Sequence, residues 1–162
     1  MRTSGDVKIR AATATDAPVL TKLAHAAKAY WGYNEDLIAL WASDLTVTEG
    51  FINDHPVRCA SIGNDLVGFY ALSHKGSTFE LEHMWVDPSR IGIGVGRRLF
   101  KDAIDAVREL GGSVLRIASD PNAEGFYVAM GAIRVGAIDS RPEGRQLPVL
   151  EVMIESTHAT ST

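Results

Sequence analysis

Apolar residues recur along this chain with two periods, one typical of helices and one typical of strands. Between Gly94 and Leu110 they return at every third or fourth position, which predicts an amphipathic helix. Short alternating or continuous apolar runs bounded by turn residues predict strands, two of them joined as a hairpin by Gly63-Asn64-Asp65. The predicted strands are 7–10, 57–62, 66–73, 78–86, 114–118, 132–140 and 148–154, and the predicted helices are 15–29, 35–43, 48–54, 94–110 and 122–130.

The length of the chain suits one globular domain. It has 162 residues, of which 46% are hydrophobic, enough to form a core. We predict that residues 1–155 form this domain and that the tail 156–162 is flexible. No apolar run approaches the roughly 18 residues of a membrane span, and the first residues lack an apolar signal segment. The single Cys59 has no companion for a disulfide or a metal site, so we expect a cytoplasmic protein without a metal.

The charge pattern narrows the classes of partner. The net charge is −4, and no cluster of Lys and Arg exceeds two residues. A nucleic-acid surface needs a basic patch, so nucleic acid is not expected as a partner, and neither is a membrane. A mildly acidic protein suits a cationic amine as substrate.

Three glycines at alternate positions lie between the predicted strand 78–86 and the predicted helix 94–110. Glycines at such a junction allow a tight turn and leave the backbone N–H groups uncovered. The first N–H groups of a helix have no intrahelical partner and lie at the positive end of its dipole. Arg97 and Arg98 in the first turn oppose that dipole, so their presence favours a bound polyanion.

This turn matches neither of two common nucleotide-binding motifs. A dinucleotide fingerprint needs Gly-x-Gly-x-x-Gly near the start of a βαβ unit, whereas this chain has Gly-x-Gly-x-Gly past its middle. A P-loop needs Gly-Lys-Ser/Thr, which is absent. A nicotinamide-dependent oxidoreductase therefore stays a distant alternative.

Two stretches instead resemble the motifs of the GNAT (GCN5-related) N-acetyltransferase superfamily. In that family a strand ending in Val-x-Pro leads into Gln/Arg-x-x-Gly-x-Gly/Ala, and here Gly94 and Gly96 match the two glycines. Ile91 stands where the family has Gln or Arg. Downstream, residues 122–131 resemble the second family motif, Asn-x-x-Ala-x-x-Phe/Leu-Tyr-x-x-x-Gly-Phe, in a compacted form with Ala132 in place of the final Phe.

This resemblance implies a fold, a cosubstrate and its binding residues. The fold is α/β (α+β), with a mixed, mostly antiparallel sheet of about seven strands flanked by helices and a splay between strands 4 and 5. The cosubstrate is acetyl-CoA, whose pyrophosphate the loop amides hold, and no metal is implied. The implied cofactor-binding residues are Met84, Trp85, Val86, Ile91, Gly92, Ile93, Gly94, Val95, Gly96, Arg97, Asn122 and Tyr127.

The strand 78–86 carries the candidate base. Strict alternation leaves neither of its faces purely apolar, and one extra residue around Glu82-His83 restores an apolar face, which predicts a β-bulge. The resemblance favours Glu82 as the base for the attacking amine, directly or through water, because the family often places one at this bulge. His83 is the alternative because its ordinary pKa is near neutral, and Glu80 is the third candidate. The resemblance assigns Tyr127 as the acid that protonates the departing thiolate. Asn122 is expected to cap the following helix.

The acceptor is the least defined part of the prediction. Tyr30, Trp31 and Tyr33 form an aromatic group at the junction of the first helices that could bind an alkyl amine. We expect direct transfer of an acetyl group from acetyl-CoA to a small primary amine, without a covalent enzyme intermediate. A non-catalytic acyl-CoA-binding module and a protein or peptide N-acetyltransferase stay open as alternatives, as does a homodimer.

Overall fold

The computed structural model describes residues 6–155, so the predicted flexible tail 156–162 lies outside the described residues. The order of strands and helices agrees with the prediction. Trp41 ends one helix and precedes another, so the single helix predicted over 35–43 is two. The strands are β1 (Val7–Ala11), β2 (Val57–Ile62), β3 (Asp65–Lys75), β4 (Thr78–Val86), β5 (Val114–Ala118), β6 (Ile133–Asp139) and β7 (Gln146–Met153). The helices are α1 (Ala17–Tyr30), α2 (Glu35–Leu40), α3 (Ala42–Leu45), α4 (Glu49–Asp54), α5 (Val95–Glu109) and α6 (Glu124–Ala129).

The seven strands form one mixed sheet in the order β1-β2-β3-β4-β5-β7-β6. The pairs β1–β2, β2–β3, β5–β7 and β6–β7 are antiparallel, whereas β4 and β5 are parallel. The register of β4 with β5 covers only Thr78–Glu80 and Val114–Arg116, although β4 continues to Val86. The fold class predicted from the sequence, including the splay between the fourth and fifth strands, is confirmed.

The chain divides into two compact units. The first unit contains the described residues up to Ala71 together with His83–Leu99, and the second contains Leu72–Glu82 and the residues from Phe100 onward. The helices α1 to α4 cover one face of β2 and β3 in the first unit. The buried residues of this core are Ala17, Leu20, Leu23, Ala24, Trp41, Leu45, Val47, Ile52, Val57, Cys59, Phe69 and Ala71.

The core of the second unit includes α5, β5 and β7. Its fully buried side chains include Phe100, Ala103, Val107, Leu115 and Leu150. α5 contributes Phe100, Ala103 and Val107 to this core at helical spacing, as the sequence predicted. Among the described residues, no helix is long and apolar enough to cross a membrane.

Replacing Gly68 by Ala should destabilise the first unit, because β3 and α5 approach closely there. An added Cβ would lie 2.8 Å from the Trp85 carbonyl oxygen and 2.9 Å from Leu99 Cδ1. We expect Gly68→Ala to lower the free energy of unfolding by about 1–3 kcal/mol, measured by denaturant titration. Gly50→Ala is the matched control: nothing lies within 4 Å of its Cβ, and in α4 it should raise stability by up to about 1 kcal/mol. Equal effects at both positions would contradict the close approach.

Candidate active site

The glycine turn leads directly into α5. Gly92 and Gly94 have φ angles of +93° and +92°, a backbone conformation that favours glycine. The helix begins at Val95, and the Arg98 amide donates to the Gly94 carbonyl oxygen at 3.1 Å. In any first helical turn, the N–H groups before the first intrahelical bond have no acceptor within the helix. Here these are the N–H groups of residues 95–97, and they form the positive end of the helix dipole. The turn thus has the backbone chemistry of an anion site.

The three arginines near this turn differ in their partners and exposure. Arg97 and Arg98 are exposed in the first turn of α5. Arg90, one residue before the position where the motif has Gln or Arg, instead donates to Asp65 at 3.1 Å. Ile91, which occupies that position, is 49% exposed. Arg97 and Arg98 are therefore better placed than Arg90 to add charge to the anion site.

Glu82 is an exposed carboxylate held by one specific hydrogen bond. The hydroxyl of Ser73 on β3 donates to Glu82 Oε2 at 2.6 Å. Glu80, two residues earlier, is less exposed, and burial raises its pKa above the ordinary value. Arg116, 3.9 Å from Glu80 Oε2, lowers that pKa, whereas the charge of Glu82 raises it further. Of the two carboxylates, Glu80 lies beside a cation and Glu82 beside a neutral donor.

His83 is constrained to one tautomer. The indole N–H of Trp85 donates to His83 Nδ1 at 3.0 Å. An indole nitrogen can only donate, so Nδ1 must carry a lone pair and the neutral ring must carry its proton on Nε2. The ring also contacts Phe51 and Phe69, with centroid distances of 5.9 Å and 5.6 Å. In this arrangement neither ring nitrogen is free to accept a proton from a substrate.

Contacts along β3 and β4 support the predicted bulge. Ser73, the partner of Glu82, belongs to the same alternating set of β3 residues as Phe69, which His83 contacts. Successive residues of a regular strand point to opposite faces. Glu82 and His83 are successive yet reach one set of β3 side chains, an irregularity of the kind that the predicted bulge would produce.

The ammonium group of Lys28 lies over three aromatic rings in the first unit. Lys28 Nζ is 4.5 Å from the ring centroid of Trp41, 5.1 Å from that of Tyr33 and 6.0 Å from that of Trp85. The lysine is buried, with 8% of its surface exposed. These four residues form a lysine cage stabilised by cation–π contacts.

The predicted aromatic group of the acceptor site is divided in the structure. Tyr33 belongs to the lysine cage and packs edge to face on Trp41, with ring centroids 4.8 Å apart. Tyr30 and Trp31 are 54% and 40% exposed and pack edge to face on each other at 5.4 Å. Of the three predicted aromatic residues, Tyr30 and Trp31 are the ones that present a large ring surface to solvent.

Tyr127 is buried in α6 of the second unit. Its ring lies 5.2 Å from that of Phe126 and 5.6 Å from that of Phe100, measured between centroids. Burial, with a smaller contribution from the charge of Asp120, raises the pKa of the phenol well above its ordinary value. The group therefore stays protonated at neutral pH, the form that a proton donor requires, although the raised pKa also makes it a weaker acid than an ordinary tyrosine.

Asn122 does not cap the following helix, so that prediction is wrong. Asp120 Oδ1 accepts from the Asn122 backbone N–H at 2.8 Å and from its side-chain amide at 3.0 Å, and thereby caps the short 3-10 turn Pro121–Ala123. α6 begins after this turn with no side-chain cap. Asp120 itself is held by Arg145, whose Nη2 lies 3.4 Å from Asp120 Oδ2. The Asp120 carboxylate thus orients the amide of Asn122.

Cys59 has the properties of a core residue. It is fully buried in β2, and burial raises the pKa of its thiol to about 11. A neutral thiol is a poor nucleophile, so Cys59 is not suited to carry an acyl group. Within residues 6–155, no cluster of three His, Cys, Asp or Glu side chains could hold a metal ion.

Comparison with known protein families decides how this arrangement is classified. A family model described as an acetyltransferase (GNAT) domain matches residues 43–142, more than half of the chain. The chain belongs to the GNAT acetyltransferases. The matched segment contains β4, the glycine turn and the Tyr127 helix, and the family suggested by the two motifs is confirmed.

Individual GNAT proteins resemble this chain in sequence or in fold. N-alpha-acetyltransferase RimI of Mycobacterium tuberculosis is 37% identical over 90 residues, which are 52% of this chain and 55% of that protein. The chain thus spans about half the length of this curated relative. A GCN5-related N-acetyltransferase structure from Rhodopseudomonas palustris matches with a TM-score of 0.78 and 18% identity over 95% of this chain and 98% of that chain. PaiA N-acetyltransferase from Thermoplasma acidophilum, in complex with coenzyme A, matches with a TM-score of 0.73 and 19% identity over 91% and 98%.

The partners of the candidate residues in this GNAT chain were not predictable from the sequence. They are Ser73, which bonds Glu82, and the lysine cage, to which Tyr33 belongs. The Ser73–Glu82 contact joins the neighbouring strands β3 and β4, and a bulge makes the register of such a pair hard to count from the sequence. The lysine cage joins residues from α1, from the helix boundary at Trp41 and from β4, and no sequence spacing indicates that they meet.

Proposed function

We propose that this chain transfers the acetyl group of acetyl-CoA directly to a primary amine. The observation that carries the proposal is the turn before α5, where two left-handed glycines lead into the first helical amides in a GNAT chain. Acetyl-CoA supplies the acetyl group as an activated thioester. The amides of residues 92–97 hold its pyrophosphate, with Arg97 adding charge, and the side chain of Ile91 adds none.

The remaining coenzyme contacts are proposed on the strand and on the second motif. The backbone of residues 84–86 bonds the pantetheine arm, since the register of β4 with β5 ends at Glu80. Asn122 bonds the same arm through its side-chain amide, which Asp120 orients. Tyr127 donates its phenolic proton to the departing thiolate.

Glu82 is the proposed base, and His83 is the proposed neutral neighbour. Glu82 accepts the proton that the ammonium of the acceptor loses, directly or through water. Its second carboxylate oxygen is the natural acceptor, because Oε2 receives the Ser73 hydroxyl. The hydrogen bond from Trp85 argues against His83 as the base. The lone pair of the neutral ring is on Nδ1, and this nitrogen already accepts the indole N–H.

Replacing Glu82 by Gln should lower kcat/KM for the amine by roughly 100-fold, the usual effect of losing a general base. The amide keeps the size of the side chain and still accepts from Ser73, so the coenzyme dissociation constant should change little. The measurement is the initial rate of thiol release at saturating acetyl-CoA.

His83→Gln and Ser73→Ala are the matched controls for this prediction. His83→Gln should cost less activity than Glu82→Gln, and Ser73→Ala should cost less again, because the carboxylate stays. A larger loss in His83→Gln than in Glu82→Gln would assign the base to His83.

The proposed acceptor is a small primary amine that the exposed Tyr30–Trp31 pair contacts, with Tyr33, a member of the lysine cage, as the third aromatic residue proposed for this site. A second candidate is the terminal amino group of a protein, favoured by the likeness to an N-alpha-acetyltransferase. Competition between a panel of small amines and a panel of short peptides with free amino termini separates them. Faster acetylation of the peptides would replace the first candidate by the second.

A further inference from the structure

Within residues 6–155, the strand β6 forms an uncovered edge of the sheet. It is the last strand in the strand order, and all seven of its residues are exposed. Three of them are large apolar residues, Ile133, Val135 and Ile138, with exposed fractions of 68%, 54% and 42%. An edge strand presents unpaired N–H and C=O groups, and β6, although it carries a bulge and two charges, has no lysine or proline to block pairing with another strand.

The register of β6 with β7 contains one extra residue. Arg134 lies opposite Leu150 and Gly136 lies opposite Val149, so Val135 has no partner of its own. The six residues from Arg134 to Asp139 therefore occupy five positions of the ladder. Counted in these positions, Ala137 is at the centre, and Arg134 and Asp139 are at equal distances on either side.

This symmetry makes the strand complementary to itself. In an antiparallel pairing of two copies about a twofold axis through Ala137, Arg134 lies opposite Asp139 of the other copy, at both ends. The bulged pair Val135-Gly136 lies opposite Ile138, so apolar groups also meet. Opposite charges across a strand pair stabilise it, and like charges in the same places destabilise it.

We propose that β6 pairs with β6 of a second copy of this chain, forming a homodimer with a continuous sheet. Charge complementarity selects a second copy as the occupant, since both charges of the strand find partners in one symmetric register. In the single copy, Arg134 lies 3.6 Å from Glu124 and Asp139 accepts from Gln146 at 3.1 Å. The first is a partly exposed ion pair and the second an exposed hydrogen bond; contacts at the surface are weak, so pairing can replace or share them.

Charge reversal tests this register. Sedimentation velocity of the full chain should give twice its mass of 17.5 kDa at a concentration above the dissociation constant. Arg134→Asp and Asp139→Arg each place like charges at both ends and should weaken the dimer roughly tenfold or more. Mixing the two variants should recover a heterodimer, because the mixture has opposite charges at both ends. The double variant Arg134→Asp/Asp139→Arg should recover the homodimer.

The controls keep folding and association separate. Circular dichroism and the melting temperature of each variant show whether the chain folds, and Arg116→Asp on β5 is a charge reversal outside β6. A wild-type chain that stays a monomer overturns the proposal, and so does a dimer that neither single variant weakens. A dimer that the single variants weaken but that neither the mixture nor the double variant restores also overturns it.

Discussion

Replacing Gly94 by Asp abolishes acetyl-CoA binding, if the turn before α5 holds the pyrophosphate. The new carboxylate would lie beside the first amides of α5, where it would itself occupy the anion site and repel the coenzyme phosphates. A negative charge at the start of a helix is favourable to the helix, so the charge itself should act on binding and not on folding. Isothermal calorimetry with acetyl-CoA measures the effect, and we expect no detectable heat.

Gly94→Ala is the control for the backbone conformation. Gly94 has a φ of +92°, so any side chain there adds strain of about 1–3 kcal/mol. Alanine carries this strain without a charge and should weaken binding only partly. If Gly94→Asp binds acetyl-CoA as tightly as Gly94→Ala does, the phosphates are held elsewhere.

Tyr127→Phe should lower kcat by roughly 10- to 100-fold and leave the affinity for acetyl-CoA nearly unchanged. The loss is that expected when a general acid is removed. Phenylalanine keeps the ring contacts with Phe100 and Phe126, so the packing of α6 is preserved. Steady-state kinetics with a saturating amine, beside calorimetry with coenzyme A, separate the two quantities.

The pH dependence provides a second test of Tyr127. Burial and the charge of Asp120 raise the pKa of the phenol, so its protonated form persists to higher pH than that of an ordinary tyrosine. In the wild type, no loss of kcat assignable to Tyr127 should appear below about pH 10, the ordinary pKa of tyrosine. If Tyr127→Phe has the kcat of the wild type, the tyrosine is not the acid of the reaction.

The order of the strands and helices was predictable because each one carries its own period. α5 has its apolar residues at helical spacing, and β2 and β3 are bounded by a glycine turn, so neither needs the rest of the chain to be recognised. The boundary at Trp41 was not predictable in the same way. Its side chain is 4% exposed, and the break between α2 and α3 accompanies its packing into the first core.

The candidate site was predictable where its chemistry lies in one stretch of sequence. The glycine turn and the Tyr127 helix are such stretches. The role of Asn122 at the second one was misassigned because two Asx residues compete there. Asp120, two residues earlier, accepts the Asn122 N–H and caps the turn, which leaves Asn122 as a donor.

Contacts between residues far apart in the chain could not be predicted from the sequence. The preference for Glu82 over His83 now rests on the Trp85 indole, which decides the tautomer of His83. Trp85 is itself part of the lysine cage, whose other members lie more than 40 residues earlier in the chain. Packing of this kind depends on the whole first unit and has no local sequence pattern.

Acetyl transfer itself is the most direct test of the account. The chain is incubated with acetyl-CoA and a panel of small amines and free-amino-terminal peptides, and the released coenzyme A thiol and the acetylated product are both quantified. We predict equal amounts of thiol and acetylated amine for at least one acceptor, both lost in Gly94→Asp. Tight acetyl-CoA binding without acetylation of any acceptor would contradict the account and identify the chain as a coenzyme-binding module without turnover.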